Sequence, residues 1–474
     1  MHNYIIVGSG AGGSVAFSEL TKVTDVLLME EGKYSAKQSE FHDDSWVLRN
    51  LYRDQGLRVA LGSPSLVIGE GVAIGGSTEI NGGVFWELPN KVSDEWRNLG
   101  WSEADSSNFC ENNDFYSKIL KVNFLEDRDK YDLDSLKMIK GATKLGWRLA
   151  KVPRIVDGCQ RANRCAFGCP NDRKMTMSKT LIPQGIENGG QLFPSHKLLK
   201  ISRERDYIKL FFLNSGKLTQ FKSKNVILSC GSLETIRILE NNKLVKGNEL
   251  KTFFHSNLRI VAEFEDDIYS QKGTIYTRQI SEFLNDGILI MPTNFSPETL
   301  SLTCGNYRHN IIRDLFRSIS KLAIYTCQVR TKGAISKLDS VLNSVVQHRV
   351  NWHQDDNVLI RLALLRTVKL CFASGAKRVL LPISDSNWIY GYNEALVELE
   401  NSNFTRYIIS TVHLMGGSNY LTRDSIINPF GELNIDSRIS LSDSSILPSS
   451  TIESPQVSIM SLAKQFAMKK VAKL

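Results

Sequence analysis

Three cysteines fall within eleven residues of a chain that holds eight, Cys159, Cys165 and Cys169 in "GCQRANRCAFGCP". A short loop can bring thiols so spaced to one face, where they bind metal, carry redox chemistry or pair as a disulfide. One histidine of the eight, His413, stands in a glycine-flanked motif, "TVHLMGG". An imidazole with an ordinary pKa of about 6.5 can take a proton near neutrality, which makes His413 the candidate general base. A third set can hold an anion: "YIIVGSGAGG" places Gly8, Gly10 and Gly13 in the G-x-G-x-x-G spacing. Gly8 permits a tight turn, Gly10 lets the backbone approach a pyrophosphate, Gly13 lets helix and strand pack closely, and the helix N-terminus offers unpaired N–H groups. Glu30, seventeen residues after Gly13, can accept bonds from ribose hydroxyls. An acid there disfavours a 2′-phosphate, and the fingerprint itself serves NAD and FAD alike.

The elements that must position these residues are legible around them. Residues 4–32 read as apolar strand, glycine turn, helix and second apolar strand, a βαβ unit. A second glycine-rich segment, "GEGVAIGGSTEINGGVFWELP" at 69–89, exposes successive N–H groups as an anion cradle and allows a flat ring to approach. One nucleotide does not need two such loops. Further on, "NLRIVAEFE" and "KRVLLP" read as strands and "DDNVLIRLALLRTVKLCFASGAK" as a helix. Phe85 and Trp86 are aromatics fit to stack on a substrate or to pack in the core.

At 474 residues, 42% hydrophobic and 23% charged, the chain is long enough for two connected domains and leaves no room for a large disordered part. A net charge of +8 from scattered Lys and Arg carries no nucleic-acid signature. The basic C-terminal "AKQFAMKKVAKL" reads as a last helix with its charged face in water. No apolar leader precedes the first strand and no apolar run of about eighteen residues spans a bilayer, so the expected location is the cytoplasm. Thiols stay reduced there, which favours metal or redox chemistry over a disulfide for the cysteine cluster. The other cysteines, Cys110, Cys230, Cys304, Cys327 and Cys371, are scattered and read as small buried hydrophobes.

Both glycine segments, "NVILSCGSLETIRILENN" at 225–242, "TVHLMGGSNY" at 411–420 and "SLSDSSILP" with the helix after it resemble, in order and spacing, the glucose–methanol–choline (GMC) family of FAD oxidoreductases. The resemblance implies an α/β fold, α+β overall, in which a Rossmann-like FAD-binding domain is interleaved with a sheet-and-helix substrate-binding domain. The corresponding segments are 1–90, 147–255 and 405–474 for FAD, 91–146 for a cap, and 256–404 for substrate. It implies that Gly8, Gly10, Ala11, Gly13 and Glu30 hold the ADP part of FAD and that Gly75, Gly76, Ser77 and Asn81 line the pyrophosphate and isoalloxazine. Gly231 would pass the adenosine side, Asp443 would lie near the ribityl–pyrophosphate region, and Pro455, Gln456 and Val457 would complete the cofactor wall. His413 matches the family base that removes an alcohol's hydroxyl proton while its carbon delivers hydride to flavin N5.

The family's second catalytic residue is a His or Asn before a proline; here Ser454 occupies it, with Glu453 beside it. A serine hydroxyl can still bond a substrate oxygen, at shorter reach. His255, in "FFHSNL", matches a family position and reads as a structural histidine. At the cysteine stretch the chain is similar to catalytic subunits of bacterial FAD-dependent glucose and alcohol dehydrogenase complexes, whose C-x5-C-x3-C spacing holds a [3Fe–4S] cluster. Ala162 stands where related members carry a fourth cysteine, which leaves Cys159, Cys165 and Cys169 as ligands. The expectation is a dehydrogenase for a sugar, polyol or other alcohol, passing electrons to a non-O2 acceptor such as an electron-accepting subunit, with export only by way of a partner. An O2-using oxidase of the same fold and a flavin-bound lyase or non-redox member are the competing expectations.

Overall fold

The computed structural model describes residues 1–33, 38–126, 132–245, 250–293, 295–304, 306–338 and 347–474. The opening apolar run is strand β1 (His2–Val7), followed by helix α1 (Ala11–Leu20) and strand β2 (Val26–Met29). Two further parallel strands, β3 (Gln191–Phe193) and β4 (Lys217–Leu228), flank this pair, and helix α2 (Ser232–Asn241) leaves β4 through Gly231. Alternate residues of β1 enter two different cores: Ile5 and Val7 on one face, Tyr4 and Ile6 on the other. Burial on both faces is why these strands are continuous apolar runs.

The chain then builds a second sheet from β5 (Thr252–Glu263), β6 (Ile288–Pro292) and β7 (Leu322–Leu338), covered by helix α3 (Gln354–Ala373) and extended by β8 (Ile409–Thr411). Period two is clear here. Leu258, Ile260 and Ala262 of β5 and Ala323, Tyr325, Cys327 and Val329 of β7 enter one apolar core, while the residues between them turn to the other face. Finally β9 (Asp436–Leu441) returns to pair with β4, and helix α4 (Gln456–Val471) closes against α1. The parallel order β3–β2–β1–β4–β9 is that of a dinucleotide-binding sheet, whose ligand lies beyond the strands' carboxyl ends.

The sheets divide the chain more finely than the segments read from sequence. The hairpin Arg58–Leu61 and Leu66–Ile68, the strand Leu149–Lys151 and β8 all pair in the second sheet, because their register partners lie there. Helix α4 also departs from its reading as a water-facing amphipathic end: Lys470 is buried beside Glu432 and Lys469 meets Asp105. Burial pushes Lys470 down to about 8. Cys110 is exposed, Cys230 is half-buried, Cys327 and Cys371 are buried as expected, and the Cys304 side chain lies outside the described residues. Among the described residues no helix is long and apolar enough to cross a membrane.

Candidate active site

A cavity of about 650 Å³ runs between the two sheets and is lined by residues from both, from Gly8 and Glu30 to His413 and Ser454. Its first half is backbone. A Cβ on Gly8, which has φ +98°, would lie 2.2 Å from the Ser229 carbonyl oxygen, so the turn admits no side chain. A Cβ on Gly10 would meet nothing within 4 Å: this glycine opens onto the cavity at the N-terminus of α1, where no side chain caps the free N–H groups. Ser9 ties the motifs together. Its N–H and hydroxyl donate to Glu30 Oε2 (2.9 and 2.7 Å), and its oxygen accepts the Gly75 N–H (2.9 Å). Gly32 N–H donates to Glu30 Oε1 at 2.8 Å, and burial raises the Glu30 pKa. A carboxylate has about four acceptor positions, which leaves room for a further hydroxyl donor.

The other expected cofactor residues divide into wall and support. Gly76, Ser77, Asn81, Gly231, Asp443, Pro455, Gln456 and Ala11 line the cavity; Gly13, Gly75 and Val457 stand behind it. Gly13 backs onto the Gly8 carbonyl, and Val457 is core. Asp443 accepts the N–H groups of Gly231 (3.0 Å) and Ser445 (2.8 Å), fixing the turn into α2. Asn81 Nδ2 donates to Gln456 Oε1 at 2.6 Å and so joins the second glycine loop to α4. A cavity of this size with two facing glycine cradles, an uncapped helix N-terminus and a buried carboxylate fits a dinucleotide with a flat ring, as FAD is.

The second half of the cavity holds the candidate base. His413 Nδ1 lies 3.1 Å from His255 Nδ1, with the rings edge to face. His255 Nε2 lies 2.7 Å from the Thr451 carbonyl oxygen, which can only accept, so Nε2 carries the His255 proton. With both rings neutral, His255 Nδ1 accepts and His413 Nδ1–H donates, leaving the His413 Nε2 lone pair with no partner among the described residues. Both rings are neutral because burial holds their pKa values down, His413 at about 4, and His413 lowers His255 further. His255 is thus no isolated structural histidine, although only its place in "FFHSNL" hinted at it. Residues 451–453 are held from the sheet by His255, by Gln328 Nε2 on the Ile452 carbonyl (2.8 Å) and by Gln279 on Glu453 (2.8 Å). That clamp places Ser454 in the wall, where among the described residues its hydroxyl has no hydrogen-bond partner. Burial pushes Glu453 up to about 7. Trp86 lines the cavity and Phe85 packs in the core, so the two aromatics part company. Asn257, Arg259, Tyr276, Thr326 and Gln328 also line it, and no sequence motif marks them.

Beside Gly231 the wall is an ion network. Arg58 bonds Glu70 and Glu234 (2.8 Å to the latter) and meets His348 Nε2 at 2.6 Å; Arg237 also pairs with Glu234. The Arg53, Arg58 and Arg237 guanidinium groups hold Glu234 well below the usual carboxylate range against burial. Burial, then Arg58, pushes His348 down to about 4. Arg58→Leu removes the ion pairs of half-buried Glu70 and of buried Glu234, which keeps Arg237, and should cost about 1–3 kcal/mol, read as a lower midpoint in denaturant.

The cysteine loop packs against the cavity: Ala162, Asn163 and Arg164 line both it and a small pocket that Cys159, Cys165 and Cys169 share. Each sulfur receives an N–H, Cys159 from Arg161 (3.4 Å), Cys165 from Arg154 (3.5 Å) and Cys169 from Arg173 (3.2 Å). Donors of this kind suit thiolates, and thiolates are the ligands of iron–sulfur clusters. The space does not suit one: the pocket is about 20 Å³, and among the described residues no three His, Cys, Asp or Glu side chains are placed to hold a metal ion. As arranged, the loop does not fit a cluster.

The family model described as GMC oxidoreductase matches residues 4–250. A GMC-type oxidoreductase of Mycobacterium tuberculosis is 27% identical over 99% of this chain and 76% of its own length. A long-chain-alcohol oxidase of Arabidopsis thaliana is 23% identical over 97% of this chain and 67% of its own. Among solved structures, pyridoxine 4-oxidase from Mesorbium loti superposes with a TM-score of 0.69 at 12% identity, covering 100% of this chain and 99% of that one. A formate oxidase variant of Aspergillus oryzae, made to follow the effect of mutation on FAD modification, gives 0.71 at 12% identity over 100% and 98%.

Proposed function

The chain belongs to the GMC oxidoreductase family, and from that premise we propose that it oxidises an alcohol to a carbonyl, with His413 as the base and FAD as the hydride acceptor. The observation that carries this reading is the His413 Nε2 lone pair, fixed by the relay through His255 to Thr451 in the wall of the same cavity that the glycine cradles line. FAD, when bound, supplies the two-electron acceptor, held by the Gly8–Gly13 turn, Glu30, the Gly75–Asn81 loop and the start of α4.

Each residue's part follows from its contacts. Neutral His413 takes the hydroxyl proton at Nε2 as the C–H bond gives up its electron pair. Its Nδ1–H stays on His255 Nδ1, which keeps the ring from turning and the lone pair aimed. His255 is a positioning residue, anchored by Thr451. Ser454 offers one hydrogen bond to the substrate oxygen. Trp86, Met291, Ile324 and Ile408 supply the apolar wall that limits water around the reacting carbon.

The test is turnover with a panel of alcohols and an artificial electron acceptor, followed by acceptor reduction and carbonyl product. If no alcohol gives product, the reading is wrong; a lyase or non-redox member would behave so. The base must be unprotonated, so the rate should be level around neutrality and fall on the acid side as His413, with its pKa of about 4, takes up a proton. A rate that instead falls as pH rises through neutrality would contradict that base.

A finer reading concerns the electron outlet. An acceptor other than O2 is proposed on the resemblance of the cysteine stretch to dehydrogenase subunits, not on a cluster, for which the loop has no room, and several relatives are named oxidases. Hydrogen peroxide formed in air should fall well short of the alcohol oxidised. Stoichiometric peroxide, with no iron or labile sulfide in anaerobically purified protein, would make the enzyme an oxidase.

A further inference from the structure

The sheet face toward the cavity carries polar side chains that the chemistry above leaves unused. Along β5, His255, Asn257 and Arg259 share that face, since successive side chains alternate and their even-numbered neighbours enter the core. In register across β7, Gln328 stands opposite Asn257 and Thr326 opposite Arg259. Gln328 already has a partner in the Ile452 carbonyl. Asn257 is 8% exposed and lines the cavity, and among the described residues its amide has no hydrogen-bond partner. The Trp86 indole N–H, in the same wall, is also buried without a partner.

The Asn257 amide faces the cavity and the Trp86 indole N–H is buried beside it, so a ligand in the cavity can complete hydrogen bonds that the described protein groups do not supply. Asn257 carries two N–H donors and a carbonyl acceptor, a set that matches a hydroxyl group, which both donates and accepts. Its place on the strand is two residues, about 7 Å, along from His255, whose ring touches the base. It therefore faces the part of a substrate next to the carbon being oxidised. An unbranched apolar alcohol would displace water from Asn257 and Trp86 and return no hydrogen bond, the situation in which a polar site rejects an analogue lacking the matching group.

Building on the alcohol-oxidising reading, we propose that Asn257 is a substrate-binding, specificity-determining residue and that the substrate is a neutral alcohol with further hydroxyl groups, a sugar or polyol.

The experiment measures anaerobic flavin reduction in the FAD-loaded protein by aldopyranoses, linear polyols and 1-decanol, in wild type, Asn257→Leu and Asn257→Ser. Wild type should prefer the hydroxyl-rich alcohols. Asn257→Leu should lower kcat/KM for them by about tenfold to a hundredfold, chiefly through KM, and leave 1-decanol unchanged or improved. Asn257→Ser should recover part of the loss. FAD content and the acid limb of the pH profile should not move, which separates substrate binding from a damaged fold. Preference of wild type for 1-decanol, or an equal loss for both alcohol types in Asn257→Leu, would overturn the proposal and leave the alcohol-oxidising reading standing. Failure of every alcohol to reduce the wild-type flavin would overturn both.

Discussion

His413→Ala should lower the rate of alcohol-dependent flavin reduction by about 10²- to 10⁴-fold, the usual contribution of a positioned general base, while FAD remains bound. The flavin should stay because the cradle is assembled elsewhere, from the β1–α1 turn, Glu30, the second glycine loop and the start of α4. Among the described residues His413 bonds only His255 and its own neighbour Thr411. Alanine removes the proton acceptor and leaves nothing in reach that is neutral and basic. His255 is the nearest substitute, but its Nε2–H is committed to Thr451. The measurement is single-turnover reduction in a stopped-flow cell, with flavin content determined on the same sample. His255→Asn should have a smaller effect, since an amide can still accept the His413 Nδ1–H.

Gly10→Val should give a folded protein that purifies without FAD. A Cβ there meets no protein atom within 4 Å, so the side chain projects into the space where a pyrophosphate must approach the α1 N-terminus. We expect FAD affinity to fall by at least about a hundredfold, close to 3 kcal/mol, with the circular dichroism of the apoprotein kept. Gly8→Val is the contrasting case. Its Cβ meets the Ser229 carbonyl oxygen at 2.2 Å in a backbone conformation that a branched residue resists, so the β1–α1 turn itself should fail. Equal behaviour of the two variants, whether both folded and yellow or both unfolded, would contradict the division of the cradle into structural and ligand-facing glycines.

The nucleotide half of the site was legible because its chemistry is carried by backbone, and backbone approach requires glycine at fixed spacing. Gly8, Gly10 and Gly13 with Glu30 announce a turn and a helix N-terminus before any fold is known. The strands on either side are buried on both faces and read as unbroken apolar runs. The second sheet was legible as strands and as helix α3, but not as a partner list. Nothing local in "RVAL" or "LVI" says that they pair with residues near 348 and with β8, because register between distant strands depends on the whole sheet.

The substrate half was hidden for the same reason. Asn257 and Gln328 meet only through the antiparallel register of β5 and β7, and a lone Asn in "FFHSNL" resembles any polar residue of a half-buried strand. His255 shows the limit most plainly: its role depends on a ring 158 residues away. The cysteine spacing, read on resemblance as a cluster site, places three thiols around one pocket yet without the room a cluster needs.

The most direct test of the account is anaerobic mixing of the FAD-loaded protein with sugars, polyols and simple alcohols while the flavin's visible absorbance is followed. The account predicts that at least one alcohol bleaches the flavin and appears as the matching carbonyl, and that His413→Ala, equally loaded, bleaches at least about a hundred times more slowly. A wild-type flavin that stays yellow with every alcohol, or a His413→Ala variant that bleaches as fast as wild type, would contradict it.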